Sequence, residues 1–226
     1  VDVPNARERR RQISARDKTK MSFTAFLVAS LARAIVSNPM VQAYQDWRHR
    51  LVVFHDVDVV TMIEPGPGAV AIPHIIRSAN RKTVREISDE IRSVQANPES
   101  SEQQSTLVAL APRVPRFVRL FFFWAVKKNP HLFKNLQGTV VVTSVGMFGS
   151  GGGWGIGFLP SHTMGLTVGG ITQKPGVYEG QIEVREYLNL TVSFDHDIVD
   201  GAPAARFTKE LIELIEKATV LEDAVK

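Results

Sequence analysis

The stretch "SFDHDIVDGAPAARF" runs from Ser193 to Phe207 and holds His196 and Asp200 within one turn of chain, with Gly201 next. An imidazole of free pKa about 6.5 is suited to taking a proton from a thiol of pKa about 8.5. A histidine leaving an apolar strand is held at its backbone, so its ring can be aimed. Asp200 stands where a carboxylate can fix the turn or sit at the N-terminus of a following helix, which favours negative charge. Gly201 there permits a positive φ or a close backbone approach. The plain alternative is a polar Asp-Gly turn with a solvated histidine, and a short motif by itself does not separate the two.

Thr143 and Ser144 end the apolar run in "GTVVVTSVG". A hydroxyl at that point can donate to a developing oxyanion. The β-propensity of Thr and loop entry for Ser account for both equally well. "GSGGGWGIG" has the glycine density of a phosphate loop but lacks its Lys-Ser/Thr ending, and no helical pattern follows, which excludes nucleotide hydrolysis. Its glycines are expected to mark a mobile or tightly packed loop, with Trp154 lining a cleft. His49, His55, His74, His131 and His162 have no metal-ligand spacing, so no metal is expected. In "FHDVD", Asp56 and Asp58 read as solvated or structural.

These candidates need elements to position them. "VDV" reads as a short strand and "ARERRRQISARDKTK" as an exposed helix ending in a loop. In "MSFTAFLVASLARAIVSNP", Phe23, Phe26, Leu27, Leu31, Ala34 and Ile35 make one helical stripe that Asn38-Pro39 stops. "RLVVFHDVDVVTMIEP" reads as strands interrupted near His55-Asp56, and "GAVAIPHII" as another after a turn. "KTVREISDEIRSVQ" is an amphipathic helix with Val84, Ile87, Ile91 and Val94 inward. After a polar loop, "ANPESSEQQSTL", comes "VALAPRVPRFVRLFFFWAVKKNPHLFKNL", helical but broken by prolines. "GTVVVTSVG", "MGLTVGGI", "GQIEVREY" and "LNLTVSF" are four further strands, and a helix from about Pro203 to Lys217 closes the chain. The late strands lie too close together for helical crossovers, so the expected class is α+β with a mixed or antiparallel sheet. No internal repeat is visible.

Composition narrows the function classes. The 226 residues are 44 % hydrophobic and 22 % charged, enough for a full core in one sizeable domain or two small ones. With no cysteine there is no disulfide, thiolate metal site or Cys nucleophile, which suits a reducing compartment. A net charge of +4 suits an anionic ligand and is too small and dispersed for nucleic acid. No apolar leader opens "VDVPNARERRRQIS", and the uncharged run from Leu120 to Val126 is far short of a membrane span, so a cytoplasmic, soluble protein is expected. "FVRLFFFWAVKK" reads as a buried or partner-covering helix in preference to a membrane-surface one.

Taken in order, "SFTAFLVASLARAI", "DVDVVTMIEPGPGAVAIPHIIRSANRKTVREISDEI", "GTVVVTSVGMFG" and "FDHDIVDG" resemble the catalytic domain of the dihydrolipoamide acyltransferases, the core component of 2-oxoacid dehydrogenase complexes. The resemblance covers nearly the whole chain. It implies a chloramphenicol acetyltransferase-like two-layer sandwich, a mixed sheet with helices packed on one face, as a single catalytic domain over 1–226. His196 matches the family's general base, and Asp200 and Gly201 its partners in the signature. The family's oxyanion hydroxyl lies three residues before the glycine that here is Gly146, which is Thr143; Ser144, standing where the family usually has asparagine, is the alternative donor. Coenzyme A is the implied substrate, with a lipoyl group supplied in trans, in a homotrimer whose sites lie between subunits, alone or with other 2-oxoacid dehydrogenase components.

The sequence also departs from the pattern. Asp197 replaces the usual arginine. Residues from about 97 to 137 read as an unusual apolar insertion, no lipoyl or subunit-binding domain is expected, and "LEDAVK" is polar where the family's end is often apolar. Three readings therefore stand: acyl transfer between a thioester and coenzyme A, a lapsed trimeric scaffold, and a stand-alone acyltransferase with a free small-molecule acceptor.

Overall fold

A computed structural model describes residues 1–66, 68–98, 101, 114–145, 152–157 and 161–222. The expectations for residues 146–151, for most of "ANPESSEQQSTLVALAPRV" and for the last four residues lie outside the described residues.

The sheet has five strands in the order β4-β3-β5-β6-β7: β3 (Val59–Ile63), β4 (Ile72–Ile76), β5 (Val140–Ser144), β6 (Met164–Tyr178) and β7 (Gln181–Phe194). β3, β5 and β6 run parallel, while β4 and β7 are antiparallel to their neighbours, so the sheet is mixed. A two-stranded hairpin, β1 (Tyr44–Gln45) with β2 (Leu51–Val52), stands apart. The opening "VDV" makes one isolated bridge, Asp2 to Tyr187, before α1 (Pro4–Arg16) begins.

Helices α2 (Phe23–Ser37) and α3 (Val84–Ala96) start where their caps dictate. Ser22 accepts from the Ala25 N–H, and Thr83 and Glu86 form a reciprocal capping box. α4 (Arg116–Lys128) and α5 (Pro130–Gln137) follow, and α6 (Gly201–Lys217) closes the fold. α2 packs against both α3 and α6, which explains why Val28, Ala29 and Ala32 are buried as well as the expected stripe. The core joins Phe26, Leu31 and Ile35 of α2 to Met164, Leu166 and Leu188 of the sheet and Phe207, Leu211 and Ile215 of α6. Each such side chain contributes about 1.5–3 kcal/mol by burial. No described helix is long and apolar enough to cross a membrane.

Three late strands were expected after "GTVVVTSVG"; two long ones are found. Glu179 and Gly180, both at positive φ, turn β6 directly into β7. Pro175 is tolerated inside β6 because β5 pairs with β6 only as far as Val168, leaving Pro175 bonded on its β7 side alone.

Asp58, just before β3, is 4 % exposed. Its carboxylate accepts from the Ser78 N–H at 2.8 Å and from Arg77 Nη1 at 3.2 Å. Arg77 also donates to the carbonyls of Lys134 and Asn135 in α5, so this acid ties α5 to the sheet. Asp58→Ala would take the carboxylate from Arg77 and leave the half-buried Ser78 N–H unpaired. The expected cost is about 3 kcal/mol, read as a lowered denaturant midpoint with unchanged m-value. A loss under about 1 kcal/mol would show that water substitutes for the carboxylate.

Candidate functional site

β7 ends at Phe194 and α6 begins at Gly201; His196 lies on the six residues between. Asp195 builds this turn. Its N–H donates to the Thr163 carbonyl at 2.8 Å, its carbonyl accepts from Ile198 and Val199, and its Oδ1 accepts from the Asp197 N–H at 3.0 Å. An Asx turn of this kind is readable from Asp two residues before a polar position, yet Asp195 was not among the expected site residues. Val199 is buried and pins the turn from below.

The result is an imidazole held out from the body. His196 has 82 % of its side chain exposed and Asp200 has 85 %, with Nδ1 and Oδ1 4.0 Å apart. Asp200 is the N-cap of α6 and its side chain makes no capping hydrogen bond. A carboxylate so placed still faces the positive end of the helix dipole. Gly201 meets neither reason advanced for a glycine. Its φ is not positive, and a Cβ there would find nothing within 4 Å in this chain. Asp197 is exposed beside the ring, joined to the turn through its backbone.

Thr143 and Ser144 end β5 and are half-buried. Register separates them from His196 within one chain. Thr143 pairs with Thr167 of β6, which pairs with Thr191 of β7. Two strand spacings alone are about 10 Å. β7 delivers His196 at the end of the sheet where β5 starts, while Thr143 and Ser144 stand where β5 finishes. The chain thus brings His196, Asp200 and Gly201 together, and Thr143 and Ser144 together, as two separate groups.

Residues 152–157 of the glycine-rich segment pack tightly on the sheet. Asn189 Nδ2 donates to the Gly152 carbonyl at 2.8 Å, and the Gly170 N–H to the Gly153 carbonyl at 3.0 Å. A Cβ at Gly157 would sit 2.2 Å from Thr167 Oγ1, so a side chain there would push the segment off β6. Trp154, expected to line a cleft, is 67 % exposed in this chain. Among the described residues no three His, Asp or Glu side chains converge as a metal site.

His162, close to the start of β6, is buried against Phe133 and its Nε2 lies 2.9 Å from the Gln137 carbonyl. Burial holds its pKa below the ordinary 6.5, against the hydrogen bond to Gln137. The sign follows directly. Below pH 6.5 the unfolded chain takes a proton that the folded ring resists, so stability is full above 6.5 and falls as pH drops toward the lowered folded pKa. His162→Gln should remove a slope of at most about 1.4 kcal/mol per pH unit from stability measured between pH 7 and 5. An unaltered slope would exclude this ring as its source.

A family model described as 2-oxoacid dehydrogenases acyltransferase (catalytic domain) matches residues 1–105 and 126–222. A dihydrolipoyllysine-residue acetyltransferase component of the pyruvate dehydrogenase complex from Mycoplasma pneumoniae is 30 % identical over 91 % of this chain and 44 % of its own length. A lipoamide acyltransferase component of the branched-chain alpha-keto acid dehydrogenase complex from Pseudomonas putida is 26 % identical over 98 % of this chain and 46 % of its own. The chain spans less than half the length of these curated relatives. In fold it is similar to the cubic core of a pyruvate dehydrogenase multienzyme complex, with TM-score 0.71 at 20 % identity over 98 % of this chain and 80 % of that one. It is also similar to chloramphenicol acetyltransferase, with TM-score 0.56 at 13 % identity over 96 % of this chain and 85 % of that one.

Proposed function

Because the chain belongs to the 2-oxoacid dehydrogenase acyltransferase (catalytic domain) family, we propose that it is an acyltransferase moving an acyl group between a thioester and the thiol of coenzyme A, as a single catalytic domain over residues 1–226. His196 removes the thiol proton. The thiolate attacks the acyl carbonyl, and the hydroxyl of Thr143, with Ser144 as the alternative, donates to the tetrahedral oxyanion. Collapse expels the second thiolate, which takes the proton back from the imidazolium. No covalent enzyme intermediate is needed, in keeping with a chain that has no cysteine.

The observation that carries this reading is the open, backbone-held imidazole between β7 and α6, beside Asp200. The two separate groups support a site completed between copies: His196 from one protomer meets Thr143 from its neighbour in a homotrimer. Asp200 acts at the helix N-terminus to hold the turn, and Gly201 leaves room for a neighbouring copy or ligand. A lipoyl group carried by another chain supplies the second sulfur, with other 2-oxoacid dehydrogenase components as partners.

The test is to incubate the protein with a panel of acyl-coenzyme A esters and dihydrolipoamide and to identify products by mass spectrometry. S-acyl-dihydrolipoamide with released coenzyme A is the expected outcome. Acylation confined to other small acceptors would favour a stand-alone acyltransferase. No product, with no saturable heat on titrating coenzyme A, would leave a scaffold of the same fold, the reading motivated by Asp197 in place of the family's arginine.

A further inference from the structure

Helix α4 breaks the ordinary rule of burial. Phe117 is 74 % exposed, Phe121 67 %, Phe123 62 %, Trp124 59 % and Leu120 58 %, and Val126 is the helix's one buried residue. A contiguous apolar patch of this kind on a monomer marks a contact with something else. At 100° per residue, Leu120, Trp124, Phe117 and Phe121 occupy the side opposite Val126. Arg116 and Lys127 run along the margin of that side, and Lys128 closes its C-terminal end. The helix contains Arg116, Arg119, Lys127 and Lys128 and no acid. Among the described residues none of these four makes an ion pair, although Arg7, Arg9, Arg50, Arg81 and Arg185 each do.

A second aromatic-cationic element grows from the same base. Val126 packs in a satellite cluster with Tyr44, Phe54 and Phe133, outside the main core. Tyr44 begins the β1–β2 hairpin, whose tip exposes 61 % of Trp47 with Arg48 stacked 4.4 Å over its ring.

We propose that α4 docks this protein on an anionic phospholipid surface, lying in the headgroup plane with its aromatic side inserted and its cations on lipid phosphates. Charge selects this occupant. A second copy of α4 would bring four more cations to an acid-free face, and an uncharged apolar partner would leave all four without counterions. At 13 residues the helix is about 20 Å long, too short to span a bilayer and suited to lying in its interface. Trp, Phe, Lys and Arg are the residues that partition there. The inference is independent of acyl transfer.

The full chain is mixed with vesicles of phosphatidylcholine alone or with about 30 % phosphatidylglycerol, and partition is read by sedimentation and tryptophan emission. Binding to the anionic vesicles is expected, at least about tenfold weaker to neutral ones and in high salt. Arg116→Gln/Lys127→Gln/Lys128→Gln should lose about tenfold, and Phe121→Ser/Trp124→Ser should lose binding, both with unchanged circular dichroism. These sites are exposed, so the folded state tolerates the changes. Three results would overturn the proposal: no partition to either vesicle, variants that partition like the parent, or an oligomer that Phe121→Ser/Trp124→Ser dissociates without lipid, which would put a second copy on α4.

Discussion

Replacing His196 by alanine is expected to lower acyl transfer between acyl-coenzyme A and dihydrolipoamide by about 10²–10⁴-fold, the range for loss of a general base. The structure makes this a clean experiment. The side chain is 82 % exposed, so removing it should leave the unfolding midpoint where it was. A thiol of pKa about 8.5 is only a few per cent thiolate at neutral pH, and without the imidazole the reaction must rely on that fraction. The loss should fall on kcat more than on KM, because the proton leaves in the step and not on binding. Turnover equal to that of the parent, in a protein that is folded and assembled, would remove His196 from the mechanism. A matching drop in stability would instead make it a structural residue of the Asp195 turn.

Thr143→Val is expected to cost about 10²–10³-fold in kcat, the magnitude for losing one oxyanion donor, with a smaller effect from Ser144→Ala. The change is nearly isosteric at a half-buried position at the end of β5, so the fold should survive it. The sharper expectation concerns the pair. Thr143 lies two strands across from β7 and level with Thr191, back along β7 from the end that carries His196, so the two are separated within one protomer. If the sites lie between copies, co-refolding His196→Ala chains with Thr143→Val chains should restore activity. About a quarter of the interfaces in a random equal mixture would then combine an intact His196 with an intact Thr143. No recovery, with mixed oligomers demonstrated by mass spectrometry, would rule out the shared site and return the oxyanion role to another group.

Much of the fold was legible because local signals agreed with global ones. Ser22 before α2, the Thr83–Glu86 box before α3 and Asn38-Pro39 after α2 are capping signals that act within one turn of their own residues. Alternation in "LNLTVSF" marked β7 correctly. The division of the long hairpin failed because a continuous strand and two short ones share the same alternation. Only pairing across β6, with the Glu179–Gly180 turn, distinguishes them. α6 likewise begins at Gly201, two residues before the expected Pro203, since a helix start is set by its first hydrogen bonds.

The candidate site divides along the same line. Residue type and spacing raised His196, Asp200, Thr143 and Ser144 as candidates without separating them from plain turn and strand residues; the order of four motifs resembling the family is what selected them. Asp195 escaped notice because its work is done through backbone groups, which every residue possesses. Asp58 read as solvated or structural; its near-complete burial on Arg77 and Ser78 follows from α5 folding back, a contact between segments far apart in sequence.

By itself the sequence determined the chemical inventory, the order of elements and the order of motifs that carries the family, for those depend on residue identity and on neighbours within a few positions. The tertiary structure decided that the imidazole stands open while the hydroxyls lie at the far end of β5, two strands away, and that α4 turns its aromatics outward. Both outcomes come from strand register and from which surfaces find partners, and those are set by long-range packing that no local spacing encodes.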